Sequence, residues 1–561
     1  MRKILLTFAM VSSVAVSTAL AQSRTVNGTV RDDKGEVLTG ATIEVKGTTV
    51  GVAADENGNF TIEVPEDKAF LVISYYGSES KEIRLDGSSS YQVVLRSEQT
   101  KNELEGVQVY GQKIDRRSYT GALNTVSSKE IAQRPVTSVG AALDGAAPGL
   151  LVTSGGGQPG SNPDIMLRGQ GSLSASSSPL IVLDGAPYSG ALNSINPLDI
   201  KDIVVLKDAT AKAVYGARAA NGVILITTKR GEKSDKPRIS FDASVGLLNR
   251  FIKPYKTLGV RDYYEKAYAG LVDMAQSPSL GSLDAIQYLG GYNAYRVPND
   301  QLFDTNPNSP TYGQVIPGDD QLIWTDNWMK ELERVGVRQN YNLSVQNGND
   351  NSDYYLSIGY TRDQGIVKNS DYHRITGLLN VNSKISNWLS AGFKMQATYD
   401  DQLFFLGSGN AFSNPFMTAQ QMGAIYPVYM YNEDGTRMKN ADGTDKYDFG
   451  NNQASETWNG LNQIRRYDNG LRTNTVASLT YDKPNTISVT GNTVGYLEAK
   501  IYRDLVAKST ISLNYYNGNS LNYYNAVYGD AENVGGRGSR SIATNINFTF
   551  NQFITWKPQA S

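Results

Sequence analysis

The sequence predicts a mainly β protein in three parts: a small β-sandwich, a compact α/β segment, and an antiparallel transmembrane β-barrel that is incomplete in this chain. Three observations carry this reading. From about residue 233 onward, apolar and small polar residues alternate over stretches long enough for a strand that meets lipid on one side, about 9–11 residues. Tyrosine, with 34 residues, far outnumbers phenylalanine with 15, and a ring that ends in a wet hydroxyl suits a surface between lipid and water. Beyond residue 21 there is no apolar run of the roughly 18 residues a membrane-spanning helix needs.

Composition removes many chemistries. The 53 Lys and Arg nearly balance 55 Asp and Glu, so no nucleic-acid footprint is implied. Cysteine is absent and His373 is the one histidine, which removes disulfides, thiol nucleophiles, the usual zinc sites and Ser-His-Asp triads. No catalytic residue, no metal site and no cofactor is expected.

Residues 1–21 read as a signal peptide. Arg2 and Lys3 are its positive start, Ile4 to Val16 its apolar stretch, and Ala19-Leu20-Ala21 its small-x-small end, with cleavage expected between Ala21 and Gln22. As a transmembrane anchor the apolar stretch is too short for a bilayer core of about 30 Å.

Residues 22–97 read as the sandwich. Apolar and polar positions alternate through Val26, Gly28 and Val30, through Ala41, Ile43 and Val45, and through Phe60, Ile62 and Val64. Turn signals at Asp33-Lys34-Gly35, Asn57-Gly58-Asn59 and Asp86-Gly87 separate them, giving seven or so short strands. Asp55 and Asn57 have the look of a calcium loop, but no glutamate stands at the required distance, and a hairpin turn is the expectation.

Residues 98–111 form a linker. Within it Leu104, Glu105, Gly106, Val107, Gln108, Val109 and Tyr110 alternate like an edge strand. Such a segment can add itself to the edge of a partner's sheet, or can belong to one of its neighbouring domains.

Residues 112–232 form the α/β segment. Asp202–Leu206 and Val223–Thr228 read as strands, with a short helix from Ala209 to Tyr215 capped by Asp208 and ended by Gly216. Pro179–Leu183 runs into Asp184-Gly185, a strong hairpin signal. Gly155, Gly157 and Gly160 match the spacing of a dinucleotide loop, but that motif needs a helix at its end. Here Pro159 and Pro163 flank the last glycine and Asp164–Leu167 alternates like a strand, so a loop is expected.

Residues 233–561 carry the barrel strands. Tyr341, Leu343 and Val345 face one way and Asn342, Ser344 and Gln346 the other, and Tyr354, Leu356, Ile358 and Tyr360 alternate with Tyr355, Ser357 and Gly359. Leu389–Tyr399, Leu497–Tyr502, Ala507–Tyr515 and Ile546–Ile554 repeat the pattern, and Tyr354, Tyr360, Trp388 and Tyr399 sit at strand ends where aromatic girdles belong. A secreted sandwich also alternates, so the pattern by itself leaves that reading open. Long segments between strands 238–248 and 337–346, and again from Gln402 to Gly470, alternate with short turns, as in outer-membrane barrels. The stretches Tyr292–Tyr312 and Asp401–Tyr429 hold aromatics able to stack on a sugar ring or a peptide.

Several of these segments together resemble one family. Ala142-Leu143-Asp144-Gly145 with Pro148-Gly149-Leu150, Met166-Leu167-Arg168-Gly169, and Pro179 through Asp184-Gly185-Ala186-Pro187 look like the plug of SusC/RagA-like, TonB-linked outer-membrane transporters. The stretch from Leu192 to Pro197, then Lys207-Asp208-Ala209 and Tyr215 through Gly222 to Lys229-Arg230-Gly231, is the most specific part, and Asn342–Val345 and Gly365–Lys368 extend the likeness into the strands. The front domain resembles the carboxypeptidase-regulatory-like domain, which has no peptidase chemistry.

The resemblance implies a barrel of about 22 strands around a plug. It implies that Leu104–Tyr110 is the TonB box, although Gly106 and Gln108 stand where an acidic residue and a valine are more usual. TonB and its inner-membrane energising complex, a SusD-like surface lipoprotein, outer-membrane lipid and an oligosaccharide or peptide substrate are the implied partners. The implied location is the outer membrane, with the N-terminal domain in the periplasm. Arg168, Gly169, Asp184 and Gly185 are the expected plug contacts, with Arg168 and Asp184 a candidate polar latch and Asp184 also readable as a plain turn residue. About eight strands are found where such a barrel needs 22, so a truncated chain is expected. The competing readings are a siderophore or cobalamin receptor, a secreted glycan-binding adhesive protein, and an enzyme acting on polysaccharide.

Overall fold

The computed structural model describes residues 23–556 apart from internal stretches, the longest being 96–106, 115–122, 208–214, 406–413, 449–456 and 463–473. The chain divides into two compact units within residues 108–121.

The first unit holds the seven strands expected: β1 (Ser23–Asp32), β2 (Thr42–Val45), β3 (Gly51–Ala53), β4 (Asn59–Pro65), β5 (Phe70–Ser74), β6 (Lys81–Arg84) and β7 (Ser90–Leu95). They form two sheets, ordered β4-β1-β7 and β3-β2-β5-β6. Every second residue points inward, so Val26, Val30, Ile43, Val45, Phe60, Ile62, Leu71 and Ile73 make one core. Gly28 is required there, because a Cβ would stand 2.5 Å from the Tyr91 carbonyl oxygen. Asp55 makes a turn, its Oδ1 accepting from the amides of Asn57 at 2.9 Å and Asn59 at 2.7 Å. The turn expected here therefore forms, but the strands it joins, β3 and β4, lie in different sheets and do not pair as a hairpin.

The short strands β8 (Val107–Val109) and β9 (Gln112–Ile114) pair with each other. The second unit then opens with β10 (Leu123–Ser127), β11 (Leu150–Thr153), β12 (Asp164–Leu167), β13 (Leu180–Leu183), β14 (Ala186–Pro187), β15 (Ile200–Leu206) and β16 (Val223–Thr228). Five of these form a mixed sheet ordered β10-β15-β16-β13-β14, while β11 and β12 make a separate hairpin. The helix Ser128–Ala132 starts at a capping box between Ser127 and Glu130. Val126, Leu143, Leu150, Leu167, Leu183, Ile203, Val205, Ile224 and Ile226 share the core of this segment.

Leu183 faces Ala186 across the β13–β14 hairpin, leaving Asp184 and Gly185 as its two-residue turn. Their φ values of 50° and 85° are the left-handed pair that a tight hairpin turn demands. The helix expected from Ala209 to Tyr215 lies, but for Tyr215, outside the described residues, and Gly216 does take the left-handed φ of 65° expected of a helix stop. The element after Gly160 is strand β12 and not a helix, so the glycine spacing there makes a loop.

Eight strands follow: β17 (Arg238–Leu248), β18 (Gly336–Gly348), β19 (Ser352–Gln364), β20 (Asp371–Lys384), β21 (Leu389–Leu403), then, after the short pair β22 (Thr457–Trp458) and β23 (Leu461–Asn462), β24 (Asn485–Tyr502), β25 (Leu505–Tyr524) and β26 (Arg537–Trp556). They form one antiparallel sheet in chain order, open at β17 and β26 among the described residues. Strand β24 begins twelve residues before the expected Leu497. Its outward Gly491, Thr493 and Gly495 dilute the apolar alternation, and pairing to β21 and β25 holds the strand instead. No described helix is long and apolar enough to cross a membrane.

The long connections are folded. The segment between β17 and β18 contains helices Val260–Ala275, Ser282–Tyr288 and Trp328–Leu332. Tyr264, Tyr268, Tyr292, Tyr295 and Phe303 are all buried within it, so Tyr292, Tyr295 and Phe303 of the stretch left open between ligand and packing belong to a local core. The connection after β21 joins that core through Ile425, and the Trp324 and Trp328 indoles donate to the carbonyls of Ile425 and Tyr426 at 3.1 and 2.9 Å. Aromatic content in these segments is high enough to bury a core of their own.

Candidate functional site

Strand alternation decides which residues meet the α/β segment and which meet the surroundings. On β19, Tyr355, Ser357, Gly359, Thr361 and Asp363 are buried, whereas Tyr354, Leu356, Ile358 and Tyr360 are exposed. The same rule exposes Phe393, Met395 and Tyr399 on β21, while the edge strand β17 is exposed on both faces along nearly its whole length. The polar face is therefore the inner one, and the apolar face is the one left uncovered. This is the reverse of a sandwich sheet, whose apolar face is buried. His373 is on the outward parity, with Nδ1 at 3.3 Å from the Tyr360 hydroxyl.

Residues 184–199 of the α/β segment lie along this polar face in a line of hydrogen bonds. Nearest the short turns, Lys394 Nζ contacts Asp184 Oδ1 at 2.7 Å, Asn380 Nδ2 donates to the Lys229 carbonyl at 2.9 Å, and the Tyr355 hydroxyl donates to Asp199 at 3.0 Å. Midway, Asn196 Nδ2 donates to Asn342 Oδ1 at 2.9 Å and Asn514 Nδ2 to the Pro187 carbonyl at 3.0 Å. Toward the long connections, Thr398 Oγ1 donates to the Ser194 carbonyl at 2.7 Å, Ser194 Oγ to Asp400 at 3.0 Å, and Gln402 Nε2 to the Pro159 carbonyl at 2.7 Å. Lys394 and Asp400 stand six residues apart on β21, so the seam runs for about 20 Å along that strand.

Burial pushes the Asp199 carboxyl above the usual carboxylate range, against the pull of its hydrogen bonds and of Lys229. Burial likewise raises the Tyr188 hydroxyl. Gly160 needs its missing side chain, since a Cβ there would stand 2.4 Å from the Tyr372 ring.

A cavity of about 480 Å³ opens at the long-connection end of the seam. One side of it is the loop around Gly157–Ser161 with Thr137 and Asn193, and the other is Arg338, Asp363 and Tyr372 of the strand wall. Arg338 and Asp363 form a two-bond ion pair at 3.1 and 2.9 Å, and Asp144 also lines the cavity. Among the described residues no cluster of His, Cys, Asp or Glu could hold a metal ion.

The residues singled out in the sequence are placed as follows. Asp184 is the turn residue expected and is also a contact of the wall: its side chain is 4% exposed and takes Thr228 N at 3.0 Å, Thr228 Oγ1 at 2.8 Å and Lys394. Gly185 completes the turn. Arg168 and Gly169 sit in a turn at φ 60° and 87°, and Arg168 is exposed, with its amide donating to the Gly149 carbonyl at 2.8 Å. The cation that meets Asp184 is thus Lys394 of the wall, while Arg168 is exposed. Of the TonB-box candidates, Val107, Gln108 and Val109 form β8, while Leu104, Glu105, Gly106 and Tyr110 lie outside the described residues, as do Ala21 and Gln22. Sequence reading passed over Arg374, Lys394 and Asp400. Their signal was charge on the polar parity of a strand whose other face is apolar, where an ionisable group must have an interior partner.

The TonB-dependent Receptor Plug Domain family matches residues 115–223, and the CarboxypepD_reg-like domain family matches residues 26–109. Over 436 residues, 76% of this chain and 38% of the relative, the sequence is 33% identical to TonB-dependent receptor P3 of Formosa agariphila. It is 32% identical to TonB-dependent receptor SusC of Bacteroides thetaiotaomicron over 371 residues, 65% of this chain and 32% of SusC. The chain thus spans about a third of the length of the curated relatives it matches. A solved structure of the RagAB peptide transporter superposes with a TM-score of 0.58 at 22% identity, covering 79% of this chain and 46% of that one, a likeness of fold.

Proposed function

From a SusC-like chain that carries a TonB-dependent receptor plug domain behind a CarboxypepD_reg-like domain, we propose TonB-dependent import of a nutrient across the outer membrane. The observation that carries the proposal is the seam. Among the described residues, a globular plug is held against the inner face of a lipid-type strand wall by side-chain hydrogen bonds and the Asp184–Lys394 ion pair, not by an apolar core. Thr376 Oγ1, Thr490 Oγ1 and Ser512 Oγ on that face are buried with no hydrogen-bond partner among the described residues. Parting such a seam exposes groups that water can satisfy, so the plug can move without opening its own core.

In this reading Leu104–Tyr110 is the strand that TonB takes up by edge pairing, and the force is applied to the plug from the periplasmic side. The substrate is an oligosaccharide or a peptide, entering from the end where the cavity lies, and a SusD-like lipoprotein covers that end. The polar side chains that line the cavity, among them Ser138, Gln158, Ser161, Asn193 and Tyr372, support a multiply hydrogen-bonding substrate of this kind. The seam residues hold and release, and no bond-making chemistry is assigned to them. Deleting Leu104–Tyr110 should abolish energised uptake and leave surface binding intact. Uptake that survives the deletion in cells would end the proposal.

A further inference from the structure

We propose that Arg374 is a positioning residue that holds the plug closed, and that filling the neighbouring cavity loosens its hold. The inference rests on the import reading above. Arg374 is on β20, is 1% exposed, and belongs to a cross-strand polar row of Thr361, Arg374 and Asp400. Its Nη1 donates to the Thr137 carbonyl at 2.8 Å and to the Asn193 carbonyl, and its Nη2 to Thr361 Oγ1 at 3.1 Å. Thr137 precedes the cap of the helix Val139–Ala142, whereas Asn193 belongs to the 192–194 turn. One guanidinium thus fastens two distant plug segments to the wall. Asn193 extends the reach to a third, since its Nδ2 donates to the Gly160 carbonyl and its backbone amide donates to Asn162 Oδ1 at 3.2 Å.

The counter-charge is shared with the plug as well. Asp400, the cross-strand neighbour of Arg374, accepts from Ser194 Oγ at 3.0 Å and from the Tyr372 hydroxyl. Thr137, Asn193, Gly160 and Tyr372 all line the 480 Å³ cavity. Three of the residues that fix Arg374 and Asp400, namely Thr137, Asn193 and Tyr372, therefore border the space a guest would fill. A hydrogen-bonding guest that competes for the Thr137 or Asn193 carbonyl, or turns Tyr372, removes part of the clamp. A buried charged group is costly unless its partners are in place, so the loss of one contact is felt by the rest. An apolar filling of the wall would hold the plug equally well but would not respond to a polar guest.

The test uses the protein as the cell makes it, in its own outer membrane. Leak is read as sensitivity to vancomycin, divided by the amount of heat-modifiable folded protein. Arg374→Met with Asp400→Asn removes both charges together, so no unpaired charge is left to unfold the wall. Its leak per folded molecule should rise about tenfold or more, equal to about 1.4 kcal/mol in the closed state. Arg374→Lys, which keeps the charge and loses the fork, should fall between the double variant and the parent. The chain has no cysteine, so a single Ser161→Cys in the cavity lining can be loaded with N-ethylmaleimide. Loading should raise leak when Arg374 is present and add nothing in the double variant. A double variant as tight as the parent, or an equal rise on loading in both backgrounds, overturns the inference. Leak needs no TonB, so uptake by the parent that survives TonB depletion would remove the import reading and leave the clamp to be judged on leak alone.

Discussion

Asp184 offers a measurable dissection of the lower seam. Its carboxylate is 4% exposed, meets Lys394 Nζ at 2.7 Å, and takes two bonds from Thr228. Its backbone is left-handed at φ 50°. Asp184→Ala removes all three contacts, leaves a lysine that is 18% exposed without its counter-charge, and puts a Cβ residue with no compensating side chain at positive φ. Breaking such a pair costs about 3–5 kcal/mol. Asp184→Asn keeps an acceptor for Thr228 and tolerates the backbone, so about 2–3 kcal/mol is expected. Lys394→Met leaves the carboxylate with its two Thr228 donors and should cost about 1–3 kcal/mol. In Asp184→Asn with Lys394→Met no buried charge remains, and the double cost should fall below the sum of the singles by at least about 1 kcal/mol. The assay is urea unfolding in detergent micelles, scored by the loss of the compact, heat-modifiable band. Additivity to within about 0.5 kcal/mol would show that Asp184 and Lys394 do not act as a pair, and the seam argument would lose its lower anchor.

Other outcomes follow from the same geometry. Gly160→Ala puts a methyl against the Tyr372 ring at φ +75° and should destabilise the plug seat by about 1–3 kcal/mol, measured by the same unfolding; an unchanged midpoint would mean the loop is not seated there. Ile358 is 59% exposed at the centre of β19, so Ile358→Arg should cost roughly 2–4 kcal/mol in a bilayer while Ile358→Val stays near neutral, and equal folding yields in lipid vesicles would contradict the outward apolar face. The raised carboxyl of Asp199 makes the folded state the better proton binder. Its contribution is therefore most favourable below the unfolded value of about 3.9 and is lost as pH rises from there through the raised folded value, the reverse of an ion-paired carboxylate. Asp199→Asn should flatten that part of the pH–stability curve in urea titrations.

Local pattern was enough for the parts whose signal repeats. Alternation found three of the sandwich strands and the inward and outward faces of β18, β19 and β21, because a strand's side chains change face at every residue, whereas β20 was not singled out. The dipeptide Asp184-Gly185 was legible as a hairpin because few residues accept two successive positive φ values. Glycine spacing alone was correctly set aside near Gly160, where the next element is β12. The pattern was weaker where glycine and threonine stood on the outer face, and the first half of β24 was missed for that reason. The aromatics of 292–312 could not be assigned to a ligand or a core from sequence, since a tyrosine suits either.

What the amino-acid order determined by itself is the inventory: a front sandwich, an α/β plug segment, and strands with one greasy and one polar side. What only the tertiary structure decided is the partnership between distant residues. Asp184 meets Lys394 across 210 positions of sequence, Arg374 gathers Thr137 and Asn193, and residues from both long connections share one core. The physical reason is that periodicity is a property of neighbours along the chain, while a buried charge is stabilised by whichever opposite charge or carbonyl the fold brings within hydrogen-bond reach.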